Sequence, residues 1–167
     1  MKKKLLFIVF TLVTLSGYSQ NNKFLNYLDT HPLNSDAQCR TAEKTVLDLA
    51  GYLINNPINK KDNDRRYAAN YVLVWMQQTP DYVFEFTDEA KHVYGSDKML
   101  RGVYYAILAK YVLTQDNKNT KSKSLRKAVL ESLLDYIENP KNNAEKTLAM
   151  QKYINAKKAG KLDSVIY

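Results

Sequence analysis

Apolar residues recur at intervals of three and four along most of this 167-residue chain, which is the spacing of one face of an α-helix. Ser, Thr and Asp residues precede these runs and prolines follow them, as expected of helix starts and stops. The pattern predicts four long helices: one from Ser35 or Asp36 to Asn55, one capped by Asp62 or Asp64 and stopped at Thr79-Pro80, one capped by Ser96, and one marked by Leu125 to Ile137 and stopped at Asn139-Pro140.

Shorter elements are predicted between and after the long helices. A helical turn is expected before Pro32 and a short helix over residues 87–95. The last helix is expected to begin near Pro140, because proline suits the first turn of a helix, and to end with Gly160 as its C-terminal cap. Apolar residues at positions 165–166 predict a tail that docks back on the domain.

One segment departs from the helical pattern. Tyr82, Phe84 and Phe86 fall on alternate positions, which predicts a short extended segment over residues 82–86. No second segment of the sequence has this period, and a lone strand does not form a stable sheet. The predicted fold class is therefore all-α: a compact bundle or a stack of antiparallel helical hairpins, with two or three short helices besides the four long ones.

The first nineteen residues have the composition of a secretory signal peptide. Three lysines precede an apolar stretch over residues 5–15, which is shorter than the ~20 residues that span a bilayer. Small residues then occupy the positions that a signal peptidase reads, which predicts cleavage near Ser19-Gln20. We expect residues 1–19 to be a signal peptide and residues 20–167 to be a single helical domain, periplasmic or secreted, with no transmembrane segment after cleavage.

Removal of such a signal changes the charge and leaves one cysteine. The whole chain has 25 basic and 17 acidic residues and a formal net charge of +8. The first nineteen residues include three of the lysines and no acidic residue, so the remaining chain has a net charge of +5, which favours contact with anionic envelope material. Cys39 is the only cysteine, and its place in an apolar-periodic helix predicts a small buried residue rather than a reactive thiol.

Three stretches of the sequence form a series: YVLVWMQQTPDYVFEF, LRGVYYAILAKYVL and the C-terminal KAGKLDSVI. The series resembles small exported helical proteins common in Bacteroidota, in which a helix ending Trp-x-x-x-(Ser/Thr)-Pro-Asp precedes an extended hydrophobic piece and an Ala-Lys-Tyr helix. Trp75, Thr79-Pro80-Asp81 and Ala109-Lys110-Tyr111 match that pattern. The resemblance implies an exported location and a helical fold. These proteins have no assigned activity, so the resemblance transfers no catalytic residue.

Candidate catalytic chemistry is sparse in this sequence. Glu89-Ala90-Lys91-His92 has the Glu-x-x-His spacing that places both side chains on one helix face, and carboxylate-bridged metal sites use two such motifs. Only one is present, so a metal-assisted enzyme that uses Glu89 and His92 is an alternative and not the leading interpretation. We predict no catalytic residue, metal site or cofactor. Arg65-Arg66-Tyr67 is a basic stretch that is expected to lie on a solvated face, and the lack of an aromatic-basic platform motif argues against nucleic-acid binding.

The aromatic residues after the second long helix have two interpretations. Trp75, Tyr82, Phe84 and Phe86 are of types that often dominate binding contacts, so they are candidate contacts for a ligand or partner. Alternatively, an extended segment with alternating aromatics lies along the bundle and covers its core, and this is the interpretation that we favour.

A stable core without a convergent set of polar residues favours a binding function. The leading hypothesis is a non-enzymatic binding or interaction module of the cell envelope, which contacts a protein or an envelope component through one helical face. We expect it to be a monomer. A second hypothesis, motivated by the aromatic excess around Trp75, is a carrier of an apolar ligand held between helices.

Overall fold

The computed structural model describes residues 22–115 and 121–166, which fold into α-helices and two 3-10 turns without a β-strand. The helices are α1 (Tyr27–Thr30), α2 (Asp36–Thr41), α3 (Glu43–Asn55), α4 (Asn63–Gln78), α5 (Asp88–Tyr94), α6 (Lys98–Thr114), α7 (Lys123–Glu138) and α8 (Leu148–Lys158). The 3-10 turns are Pro140–Asn142 and Leu162–Ser164. The predicted all-α fold class is confirmed. The predicted signal peptide, residues 1–19, lies outside the described ranges, within which no helix is long and apolar enough to cross a membrane.

Most predicted helix starts are confirmed, because capping depends on nearby residues. The first backbone N–H groups of a helix lack partners inside the helix. In α2, α4 and α5, the side chains of Ser35, Asp62 and Thr87 accept hydrogen bonds from such groups. The cap predicted at Ser96 is wrong by one residue. The carboxylate of Asp97 instead accepts two N–H groups of α6 at 2.8 and 3.1 Å, since a charged acceptor bonds more strongly than a hydroxyl.

The first predicted long helix is interrupted at Ala42, where α2 gives way to α3. Here the indole Nε1 of Trp75 donates to the backbone carbonyl of Cys39 at 2.9 Å. A side chain that takes a carbonyl from the helical ladder is a recognised cause of a break. The break therefore comes from a contact with α4, which helical periodicity does not record.

The last helix begins later than predicted. Pro140 opens only a 3-10 turn, which ends at Asn143 in a left-handed conformation with φ 54°, and an α-helix does not continue through such a residue. The chain then runs to Thr147, whose side chain caps α8. Gly160 follows α8 with φ 65°, as expected of a glycine that ends a helix.

The core lies where α3, α4 and α6 pack together, with α5, α7 and α8 around them. Large apolar side chains at helical spacing, including Tyr71 and Trp75 of α4, are almost fully buried there. Each such side chain contributes about 1.5–3 kcal/mol to stability. Gly102 lets α6 approach α4 closely, because a Cβ atom at that position would lie 2.8 Å from the Cβ of Ala69.

Residues 82–86 form no helix, strand or turn and lie against this core, with residues 82, 84 and 86 more buried than residues 83 and 85. The ring of Trp75 is 5.8 Å from that of Tyr82 and 5.7 Å from that of Phe84, and Phe86 packs against a tyrosine of α6. The alternate apolar positions therefore face the helices, as the period of an extended chain requires.

The chain after α8 returns to the body of the domain, as predicted. Leu162 and Ile166 are buried. Between them, Asp163 forms an ion pair with Lys127 of α7. The tail thus adds apolar cover to the end of the bundle.

Candidate functional site

The predicted aromatic contacts all belong to the packed core or its edge. Trp75 has no exposed surface and Tyr82 is 8% exposed, whereas Phe84 and Phe86 are half-buried. The structure brings Trp75, Tyr82 and Phe84 together as one ring cluster. Their role as ligand or partner contacts stays a prediction.

Glu89 and His92 have different neighbours. The carboxylate of Glu89 is buried and lies 3.7 Å from a guanidinium nitrogen of Arg126. The Nδ1 atom of His92 lies 3.3 Å from the hydroxyl of Tyr153. Among residues 22–115 and 121–166, no three His, Cys, Asp or Glu side chains converge on a point where a metal ion would fit.

Cys39 is a buried side chain of α2, 1% exposed, as predicted. Its Sγ atom donates a weak hydrogen bond to the carbonyl of Leu33 at 3.7 Å. Burial raises the pKa of the Cys39 thiol, and the charge of Asp36 raises it further. Because the thiolate is the nucleophilic form, this environment disfavours cysteine chemistry.

A groove with a volume of about 440 Å³ lies where the last turn of α3 meets the first half of α4 and of α6. Its apolar wall is formed by Leu53, Ala69, Leu73, Met99, Gly102 and Tyr105. The first turns of α4 and α6 lie at the same end of this groove, because Asp97, the cap of α6, acts on both Lys60 and Tyr136. The hydrogen bond to Glu145 raises the pKa of Lys60 and burial raises the pKa of Tyr136, and the charge of Asp97 raises both further. The Tyr136 hydroxyl lies 3.5 Å from Arg65 in the first turn of α4. We call it the basic groove because its charged residues are all cationic: Lys60, Arg65, Arg66, Lys98 and Arg101.

These cations are only partly neutralised by neighbours. Lys60 forms an ion pair with Glu145 at 2.8 Å, which raises the pKa of the lysine. Arg66 donates to the side-chain oxygen of Asn63, a neutral partner. Lys98 and Arg101 form no ion pair with any residue that the structure describes. The groove therefore has a net positive charge.

Arg65 is the buried member of the set, 1% exposed. Its Nη1 donates to the carbonyl of Asn56 at 2.9 Å and its Nη2 to the carbonyl of Leu53 at 3.0 Å. These carbonyls lie at the C-terminal end of α3, where acceptors lack partners inside the helix. The hydroxyl of Tyr136 donates to the same Asn56 carbonyl at 2.9 Å, and burial raises the pKa of that hydroxyl.

The charge of Arg65 has no carboxylate partner among the described residues, and its Nε atom has no hydrogen-bond partner there. Buried arginines are ordinarily paired with an acid. A carboxylate or phosphate is the natural complement of a guanidinium. A buried cation that has no ion pair, in the wall of a cationic groove, therefore favours an anion in that groove.

Helix dipoles reinforce this potential. The N-terminal end of a helix carries a partial positive charge, which favours acidic residues there and disfavours basic ones. α6 has no acidic residue in its first turn and instead places Lys98 and Arg101 on its first two turns. Only its cap, Asp97, is acidic. The arrangement opposes the usual preference of a helix and concentrates positive charge at the groove.

The sequence interpretation missed this site. The sequence pattern assigns Arg65 and Arg66 to a solvated basic face and gives no role to the lysine and arginine that open α6. The two pairs are more than thirty positions apart, and only the packing of α4 against α6 brings them together. A usable signal was the start of α6, where two cations and no acid follow the cap.

Comparisons of this chain with protein-family models, with curated proteins and with solved structures found no match.

Proposed function

We propose that this protein is an exported, non-enzymatic binding module of the cell envelope, and that it binds an anionic envelope component at the basic groove. The observation that carries the proposal is the groove lining, in which five cations and no carboxylate surround an apolar wall. The signal-like first nineteen residues support the location.

The physical basis is charge complementarity in a partly enclosed site. An anion 4 Å from one cation gains about 1 kcal/mol in bulk water and about 4 kcal/mol at the effective dielectric of a protein surface. Lys98 and Arg101 are one helical turn apart on α6, so one oxyanion can reach both. Arg65 adds the field of a charge that is shielded from water.

A matched pair of charge-reversed variants tests the proposal. Lys98→Glu with Arg101→Glu reverses two of the five charges in the groove lining, whereas Lys44→Glu with Lys152→Glu makes the same change of net charge at exposed positions on α3 and α8. The probes are phosphatidylglycerol vesicles and alginate, with phosphatidylcholine vesicles and dextran as neutral counterparts. Bound protein is measured by co-sedimentation at two salt concentrations.

We expect the unmodified protein to bind at least one anionic probe and neither neutral one, and to bind less at high salt. The groove variant should lose about tenfold or more in affinity, while the control variant stays within about twofold. If no anionic probe binds, or if both variants weaken binding equally, the proposal is wrong.

A further inference from the structure

We infer that the ligand of the basic groove is a single-chain amphiphile: an oxyanion head group, carboxylate or phosphate monoester, on an apolar chain. This inference rests on the proposed function and names the chemical class of the ligand for the same site. It follows from the size of the groove, from the order of residues along it and from the buried charge in its wall.

The size of the groove suits a small molecule. Its volume of about 440 Å³ lies within the ~300–1,000 Å³ typical of pockets for small ligands. Protein–protein interfaces instead use broad surfaces of about 800 Å² on each partner. A single head group and chain fit this enclosure better than a folded partner does.

The groove changes in character from one end to the other. On α4, Arg66 begins the lining and Leu73 ends it; on α6, Lys98 begins it and Tyr105 ends it. Each pair is separated by two helical turns, or roughly 10 Å along the axis. Because both helices start at the same end, the five cations gather at one end of the groove beside Leu53 and Met99, and the other end is formed by Leu73 and Tyr105 and has no charged side chain among its described lining residues.

The middle of the groove has two small residues in its wall. Gly102 and Ala69 lie there, opposite each other on α6 and α4. These small residues let the two helices close beneath the groove, and they leave its centre open to a chain that passes from the cationic end to the apolar end.

Arg65 explains why the head group is an oxyanion and not merely polar. Its guanidinium is enclosed by neutral acceptors and carries a charge without an acidic partner among the described residues. A neutral head group would leave that charge without an ion pair. An oxyanion between Lys98, Arg101 and this buried guanidinium would offset their positive charge.

The test compares four probes by isothermal titration calorimetry with the purified protein. Decanoate and decyl phosphate have both head and chain, decanol has the chain alone, and inorganic phosphate has the head alone. We expect the two anionic amphiphiles to bind about tenfold or more tightly than decanol or phosphate, because only they use both ends of the groove. If decanol binds as tightly as the anionic amphiphiles, the protein is an apolar carrier. If inorganic phosphate binds as tightly as they do, the groove is a plain anion site. Either result overturns the inference.

Two double variants locate the binding. Lys98→Gln with Arg101→Gln should weaken both amphiphiles about tenfold or more, and Lys44→Gln with Lys152→Gln should change them less than about twofold. Leu73→Ser should weaken the amphiphiles but leave binding of inorganic phosphate unchanged. Thermal unfolding of each variant establishes that it is folded. Equal weakening by the groove pair and the control pair overturns the inference.

Failure of the inference is distinguishable from failure of the proposed function. Suppose that no amphiphile binds, but that the Lys98→Glu, Arg101→Glu variant binds phosphatidylglycerol vesicles or alginate more weakly than the unmodified protein does. The inference is then wrong and the proposed function stands. If no anionic probe of any kind binds, both are wrong.

Discussion

Arg65 connects stability and function at the scale of a single residue. It satisfies two carbonyls at the end of α3 and so joins that helix to α4. Its guanidinium lines the basic groove and forms no ion pair with an acidic residue in the described ranges. A hydrogen bond to a charged group contributes about 1.5–3 kcal/mol, so the residue contributes to the fold even without a ligand.

Replacement of Arg65 by Met should therefore destabilise the protein. The methionine keeps most of the buried apolar stem but leaves the carbonyls of Leu53 and Asn56 without that donor, so we expect a loss of about 2–4 kcal/mol in the free energy of unfolding. The matched control is Arg66→Met, on the exposed neighbour, with an effect within about 0.5 kcal/mol. Urea unfolding followed by the fluorescence of Trp75 measures both. Equal effects would mean that the Arg65 hydrogen bonds do not support α3.

The elements show which features of the fold a sequence can predict. The starts of α2, α4 and α5 depend on side chains within three residues of the first turn, so the local sequence predicts them. The break at Ala42 requires the distant indole of Trp75. The late start of α8 requires a left-handed Asn143, which periodicity does not indicate. Features that depend on contacts between elements are the ones that sequence alone does not provide.

The contact between α4 and α6 should be sensitive to one added methyl group. Gly102→Ala gains about 1 kcal/mol of helix propensity, but its Cβ would approach Ala69 to 2.8 Å, and overpacking costs about 1–3 kcal/mol. We expect a net loss of stability. Gly51→Ala in α3 is the matched control, since its nearest neighbouring atom would lie 4.0 Å away, and it should be neutral or stabilising. Thermal unfolding compares the two; a stabilising Gly102→Ala would show that the helices are not closely packed there.

The ends of α7 and α8 are joined by an ion-pair network that depends on pH. Glu138 accepts from Lys158 at 2.7 Å and from Lys157 at 3.2 Å, and the hydrogen bond from Lys158 holds the pKa of Glu138 below its ordinary value of 4.5. A depressed pKa in the folded state means that the contribution is present above that value and is lost as the pH falls below it.

Glu138→Gln should therefore lower stability at pH 7 by about 1 kcal/mol. The difference from the unmodified protein should close as the pH falls below 4.5, because both side chains are then uncharged. Glu131→Gln on the same helix, where the carboxylate forms no ion pair with a described residue, is the control and should differ little at either pH. Urea unfolding at several pH values measures this, and a difference that persists at low pH would contradict it.

At the scale of the whole molecule, the bundle serves to bring distant charges together. The fold class could be predicted from helical periodicity and from the lack of a second strand-like segment, because both can be read from the order of residues alone. The basic groove could not be predicted in this way, because Arg66 and Lys98 line the same groove only when α4 and α6 pack side by side with their first turns at one end. Charges that are scattered along the sequence thereby form one cationic site on an apolar wall.

The five arginines of the chain allow this central claim to be tested directly. Arg65, Arg66 and Arg101 line the groove, whereas Arg40 pairs with Asp81 and Arg126 with Glu89 outside it. Titration with decyl phosphate, followed by the side-chain Nε–Hε resonances in nuclear magnetic resonance spectra, should shift the three groove arginines along one saturating curve and leave the other two unmoved. Shifts that are absent, or that are equal at all five arginines, would contradict binding of an anionic amphiphile in the basic groove.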